Sequence, residues 1–123
     1  MPVVVVEKKD PIGLEVKAQL ALEITAVLRD VIKSPDDLIS VVFHELPLDN
    51  AYRAGQRTDE ALIFVHIRSG RSDEVVLCLL EAITDVWTRV TGEPDDAIEL
   101  VVLQHPAKWV MRGRARLPEP PTI

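Results

Sequence analysis

Short runs of branched apolar residues alternate with two long stretches in which apolar positions recur every three or four residues, and this alternation predicts the layout of the chain. Val3 to Glu7 reads as a buried strand. From about Leu14 to Lys33, Leu20, Ile24, Val27 and Val31 form one stripe and predict a helix. Ile39 to Glu45 reads as a second strand. The same succession then returns, with Leu62 to Ile67 as a strand and Ile98 to Gln104 as its partner across a second helix. That helix opens at Ser72, an N-cap residue, with Asp73 and Glu74 suited to the positive end of the helix dipole. Its stripe is Val75, Leu79, Ala82 or Ile83, Val86 and Val90, with Trp87 expected in the core; Gly92 and Pro94 mark its end.

The two halves are copies. At an offset of 59 residues, Ser34-Pro35-Asp36-Asp37-Leu38-Ile39 lies over Glu93-Pro94-Asp95-Asp96-Ala97-Ile98, and the register holds to Pro47 over Pro106. The same offset places Ile24 on Ile83 and Val27 on Val86. A helix between two apolar strands implies a right-handed crossover and parallel pairing. The predicted fold is therefore α/β in content and α+β in arrangement: two tandem βαβ units, a four-stranded mixed sheet, and both helices on one face. Residues 1–123 form one domain, with repeat one at about 2–47, a linker at 48–60, repeat two at about 61–106 and an irregular, Pro-rich tail at 107–123. The other sheet face would expose valines, so oligomerisation through that face is expected.

Composition narrows the setting. A chain of 123 residues with 47% hydrophobic residues can bury a core without disulfide or metal support. The formal charge of −6 argues against a nucleic-acid or anionic-membrane partner. The single Cys78 permits no internal disulfide and fits a cytoplasmic protein. No apolar run approaches membrane-spanning length, and Val3 to Val6 reads as strand rather than signal peptide. Three histidines and one cysteine show no metal-ligand spacing, so no metal or cofactor is expected.

The differences between the copies carry the chemistry. Pro2 falls on Ala61, Arg68 on Lys9 and Arg71 on Ile12. Loss of Met1 would leave Pro2 with a free secondary amine, whose pKa falls beside cations in a partly apolar pocket. A base tuned towards neutrality suits proton abstraction. Arg68 ends a strand, and Arg71 lies in the Gly70-Arg71-Ser72 turn that opens the second helix, a good receptor for a carboxylate.

On Pro2, on Arg68-Ser69-Gly70-Arg71-Ser72-Asp73-Glu74, and on Phe43-His44-Glu45-Leu46-Pro47 and Leu117-Pro118-Glu119-Pro120, the chain resembles the tautomerase superfamily of 4-oxalocrotonate tautomerase-like proteins. The two-unit length resembles the fused members of the cis-3-chloroacrylic acid dehalogenase type. That resemblance implies Pro2 as the catalytic proline, Arg68 and Arg71 as binders of a small anionic carboxylate substrate, and a homotrimer. The dehalogenase type's histidine, tyrosine and glutamate fall on Leu28, on Val101 and near Met111 or Arg112. Without the glutamate, hydrolytic dehalogenation or hydration lacks its activated water. The expected activity is keto-enol tautomerisation of a 2-oxo or enol carboxylate. The alternatives are a catalytically degenerate trimer and a low-level decarboxylase or hydratase.

The remaining candidates read as structural. His44 and His66 sit towards strand ends as hydrogen-bonded groups, and His105 precedes Pro106 as a turn residue. Trp109 is expected at a subunit interface in preference to roofing a pocket, and Arg112, Arg114 and Arg116 in pairs with acidic neighbours in the assembly. Asp36-Asp37 and Asp95-Asp96, each after a proline and ahead of a strand, are turn residues.

Overall fold

The computed structural model describes residues 1–9, 11–47 and 49–121. Both βαβ units are present: Val3–Lys8 (β1), Leu14–Ile32 (α1) and Ser40–Glu45 (β2), then Ala61–Arg68 (β5), Asp73–Thr91 (α2) and Ile98–His105 (β6). The sheet runs β2-β1-β5-β6, parallel within each unit and antiparallel where β1 meets β5. Val4 faces Val65 and Val6 faces Ile63 across that central seam, and all four are buried. A local two-fold therefore passes between the two copies.

The core lies between one sheet face and both helices. Val4, Val6, Ile63, Val65 and Ile67 meet Leu20, Ile24, Leu28, Ile32, Leu79, Ile83 and Trp87. Full burial of each large aliphatic chain contributes about 1.5–3 kcal/mol. The stripe of α1 differs from expectation after Ile24: Leu28 and Ile32 are the buried positions, and Val27 and Val31 are only partly covered. Each step of four residues overshoots a full turn by about 40°, so the buried line winds gradually round α1 through Leu20, Ile24 and Leu28 to end on Ile32. Ser72 caps α2 as expected, its Oγ accepting from the Val75 N–H at 3.3 Å.

The segments expected to be irregular are ordered hairpins. Tyr52–Arg53 (β3) pairs with Gln56–Arg57 (β4), and Met111–Arg112 (β7) pairs with Ala115–Arg116 (β8). They are copies of one another. The Thr58 N–H donates to the Ala51 carbonyl at 3.0 Å, and 59 residues on, the Leu117 N–H donates to the Val110 carbonyl at 3.0 Å. Two-residue strands are too short to show as an apolar pattern, which is why composition alone read these segments as loop and tail. Leu48 of the linker and residues 122–123 of the tail lie outside the described residues. His105 is a strand residue, not a turn residue: it faces Arg68 across the ladder, and its carbonyl accepts from the Ser69 N–H at 2.8 Å.

The second sheet face carries Val42 and Val101, both exposed, with Val5, Phe64 and Leu62 half-buried between them.

Candidate functional site

Antiparallel pairing sets the start of β1 beside the end of β5, where Val3 faces His66, and parallel pairing brings the end of β6 alongside, where Arg68 faces His105. The β7–β8 hairpin closes over this corner. The result is a cavity of about 400 Å³ whose lining includes Met1, Val3, Ser40, His105, Trp109 and Arg112. Among the described residues no carboxylate lines it.

Pro2 sits between two lining residues and is buried. Its carbonyl accepts from the Ser40 N–H at 3.0 Å, which ties the chain start to β2. The amine of Met1 has its pKa lowered, first by burial, then by the positive charges of Arg68 and Arg112. A chain-start amine and two guanidinium groups thus share one corner of a protein whose net charge is −6.

Arg68 is 2% exposed, and its Nη1 donates to the Pro118 carbonyl at 2.7 Å. Burial lowers its pKa, while the charge of Glu119 acts in the opposite sense. Arg71 is 7% exposed. Its Nη1 donates to the Arg68 carbonyl at 2.6 Å and its Nη2 to the Ile32 carbonyl at 3.1 Å, so it bridges the end of β5 and the end of α1. Burial first, and the charge of Arg68 second, push its pKa down to about 10. Neither arginine makes the surface ion pairs that an arbitrary pair would make; the Nε of each is buried without a hydrogen-bond partner among the described residues. The turn between them needs Gly70 at φ +126°, where an added Cβ would meet Pro120 Cγ at 3.4 Å. The tail is therefore packed against the arginine turn.

Sequence reasoning undervalued three residues of this cavity. Trp109, in the short 3-10 turn before the hairpin, and Arg112, on the hairpin itself, line it, and His105 forms part of its wall. His105 Nε2 lies 3.0 Å from His66 Nδ1, with the rings stacked at 5.2 Å. The available signal was the repeat itself: at the same offset Tyr52-Arg53 lies over Met111-Arg112, which marks the tail as a structured copy. His44 lies elsewhere, with its Nδ1 2.6 Å from Glu7 Oε1, in keeping with a structural role. Asp36 and Asp37, and Asp95 and Asp96, occupy short 3-10 turns.

The positions matching the dehalogenase apparatus scatter. Leu28 is in the core, Val101 is on the exposed sheet face, and only Met111 and Arg112 reach the cavity. Among the described residues no group of His, Cys, Asp and Glu side chains has metal-binding geometry. No helix is long and apolar enough to cross a membrane.

A family model described as tautomerase enzyme matches residues 4–61. Among solved structures, native Ps01740 is 31% identical with a TM-score of 0.87, covering 90% of this chain and 100% of its own. N1, a member of the cis-3-chloroacrylic acid dehalogenase (cis-CaaD) family, is 29% identical with a TM-score of 0.93 over 97% of this chain and 85% of its own. A fused 4-OT solved as an asymmetric trimer shares the fold at 21% identity and a TM-score of 0.88, over 94% of this chain and 95% of its own. No protein of curated function matches the chain.

Proposed function

Because the chain belongs to the tautomerase superfamily, as a fused, two-unit member, we propose that it is a keto-enol tautomerase in which Pro2, uncovered by loss of Met1, is the general base. The observation that carries this reading is a chain-start amine set into a cavity beside guanidinium charge, with no carboxylate of the described residues in the lining. Burial and the two arginine charges that depress the Met1 amine would act on the Pro2 nitrogen in its place, favouring the neutral base at physiological pH.

The substrate class is a small carboxylate bearing a 2-oxo or enol group. Pro2 takes a proton from the enol oxygen or the carbon and returns it at the other end of the unit. Neither Arg68 nor Arg71 is among the residues that line the cavity; Arg68 supports carboxylate binding and developing enolate charge through its positive charge, which reaches the chain-start amine, and Arg71 through its hold on the Arg68 backbone. The absence of a lining carboxylate favours isomerisation over hydration or hydrolytic dehalogenation, which need an activated water. The apolar strip with Val42 and Val101 supports assembly through the sheet face, and the trimeric fused 4-OT supports three chains.

Ketonisation of phenylenolpyruvate, followed by ultraviolet absorbance, tests this. The native protein is expected to lack Met1 by intact mass, and Pro2→Ala, which leaves a primary amine, is expected to lose roughly 10²-fold in rate without complete loss. Equal rates for both proteins would remove Pro2 from the mechanism. A second reading, a family member without chemistry, has one observation in its favour: Leu28 and Val101, at the dehalogenase type's histidine and tyrosine positions, lie away from the cavity; were Met1 retained, the Pro2 nitrogen would be an amide and no base. A native mass retaining Met1, together with no turnover, would select that reading.

A further inference from the structure

The 59-residue offset superposes two cavities as well as two folds. The second cavity, of about 190 Å³, lies at the opposite end of the same sheet face, and its lining includes Leu46, Tyr52, Arg53, Thr58 and Glu60. In the chain-start cavity His105, Met111, Arg112 and Leu117 are the counterparts of Leu46, Tyr52, Arg53 and Thr58, and Met1, one repeat before Glu60, takes that residue's place at the head of the strand. Each cavity is roofed by its own copy of the hairpin.

Their electrostatics differ. In the smaller cavity Arg53 is neutralised from within: its guanidinium pairs with Glu60, and its Nη2 lies 3.5 Å from Glu99 Oε2. One repeat earlier, the positions of those two carboxylates hold Met1 and Ser40. Arg112 therefore occupies the place of Arg53 with neither of its anions, and no acidic side chain among the described residues pairs with it. An arginine with no acidic partner among the described residues, over a cavity that none of their carboxylates lines, in a chain of net charge −6, has the chemistry of an anion receptor.

We infer that Arg112 is an anion-binding residue of the chain-start cavity, holding the carboxylate of a small external acid as Arg53 holds Glu60 in the twin cavity. The rest of the lining sets the ligand class. Val3, Trp109, Met111 and Leu117 offer apolar surface beside that charge, and about 400 Å³ accommodates an aryl or short alkyl carboxylate. The inference deepens the proposed site but does not depend on the chemistry of Pro2.

The test is calorimetric titration with 3-phenylpropionate, a carboxylate that cannot tautomerise, at low ionic strength. Arg112→Gln is expected to weaken binding at least ten-fold, Arg112→Lys to weaken it less, and Arg53→Gln to leave it unchanged. Unweakened binding by Arg112→Gln, an equal loss in Arg53→Gln, or no binding by the wild-type protein would each overturn the inference. Pro2→Ala separates the two claims. If it retains full phenylenolpyruvate turnover while Arg112→Gln loses 3-phenylpropionate binding, the Pro2 mechanism fails and the role of Arg112 stands.

Discussion

His66 Nδ1 and His105 Nε2 share a hydrogen bond of 3.0 Å across neighbouring strands, at the wall of the chain-start cavity. Such a bond needs one ring nitrogen as donor and the other as acceptor. Two imidazolium rings carry only donors, so the pair tolerates at most one proton beyond neutrality. Burial, and secondarily the neighbouring His105, hold the pKa of His66 below its ordinary value of 6.5.

This fixes the sign of a pH effect. As pH falls through about 6.5, His66 in the unfolded chain takes up a proton while the folded ring stays neutral to lower pH. The unfolded state then binds more protons, so stability declines on acidification until the folded ring also protonates. Urea unfolding midpoints at pH 7.5 and pH 5 measure the decline, and His66→Gln is expected to reduce it. An unchanged pH dependence in that variant would show that His66 is not its source.

Arg71 joins the end of β5 to the end of α1 through two backbone carbonyls, at 2.6 and 3.1 Å. Arg71→Lys has a single ammonium at the tip and cannot reproduce the fork, so one carbonyl loses its charged donor. A loss of about 2 kcal/mol in unfolding free energy is expected from chemical denaturation. In turnover assays Arg71→Ala is expected to raise KM and lower kcat together, since it disturbs the backbone of Arg68 and the carboxylate-binding role proposed for the pair. Unchanged phenylenolpyruvate kinetics in Arg71→Ala would confine this residue to a purely structural role.

Lys33 and Gly92 close α1 and α2 at matched positions of the repeat, both left-handed, at φ 57° and φ 76°. A lysine meets a Cβ clash there that glycine avoids. Lys33→Gly is expected to stabilise the protein by about 1 kcal/mol, read as a higher urea midpoint. A lower midpoint would mean that the lysine side chain contributes more than its backbone strain costs.

Much of the fold is legible in the order of residues because its signals are local or repeated. The apolar runs around Val4 and Val65, the stripe ending in Val90, the cap at Ser72 and the register of Pro47 with Pro106 define two βαβ units and a mixed sheet without any contact being known. Pro2, Arg68 and Arg71 stand out for a related reason: they are where two otherwise matching copies disagree.

Only the tertiary structure decided what surrounds them. The identity of Arg112 says nothing of partners, and its neighbours come from the chain start and the end of β6, brought together by strand pairing rather than by proximity in sequence. The same pairing joined His66 to His105, and the folding of the tail turned an apparent extension into the roof of a cavity. Periodicity reports which side of an element is apolar. Which charges remain unpaired at a corner depends on where four distant segments converge, and that is a property of the packed chain.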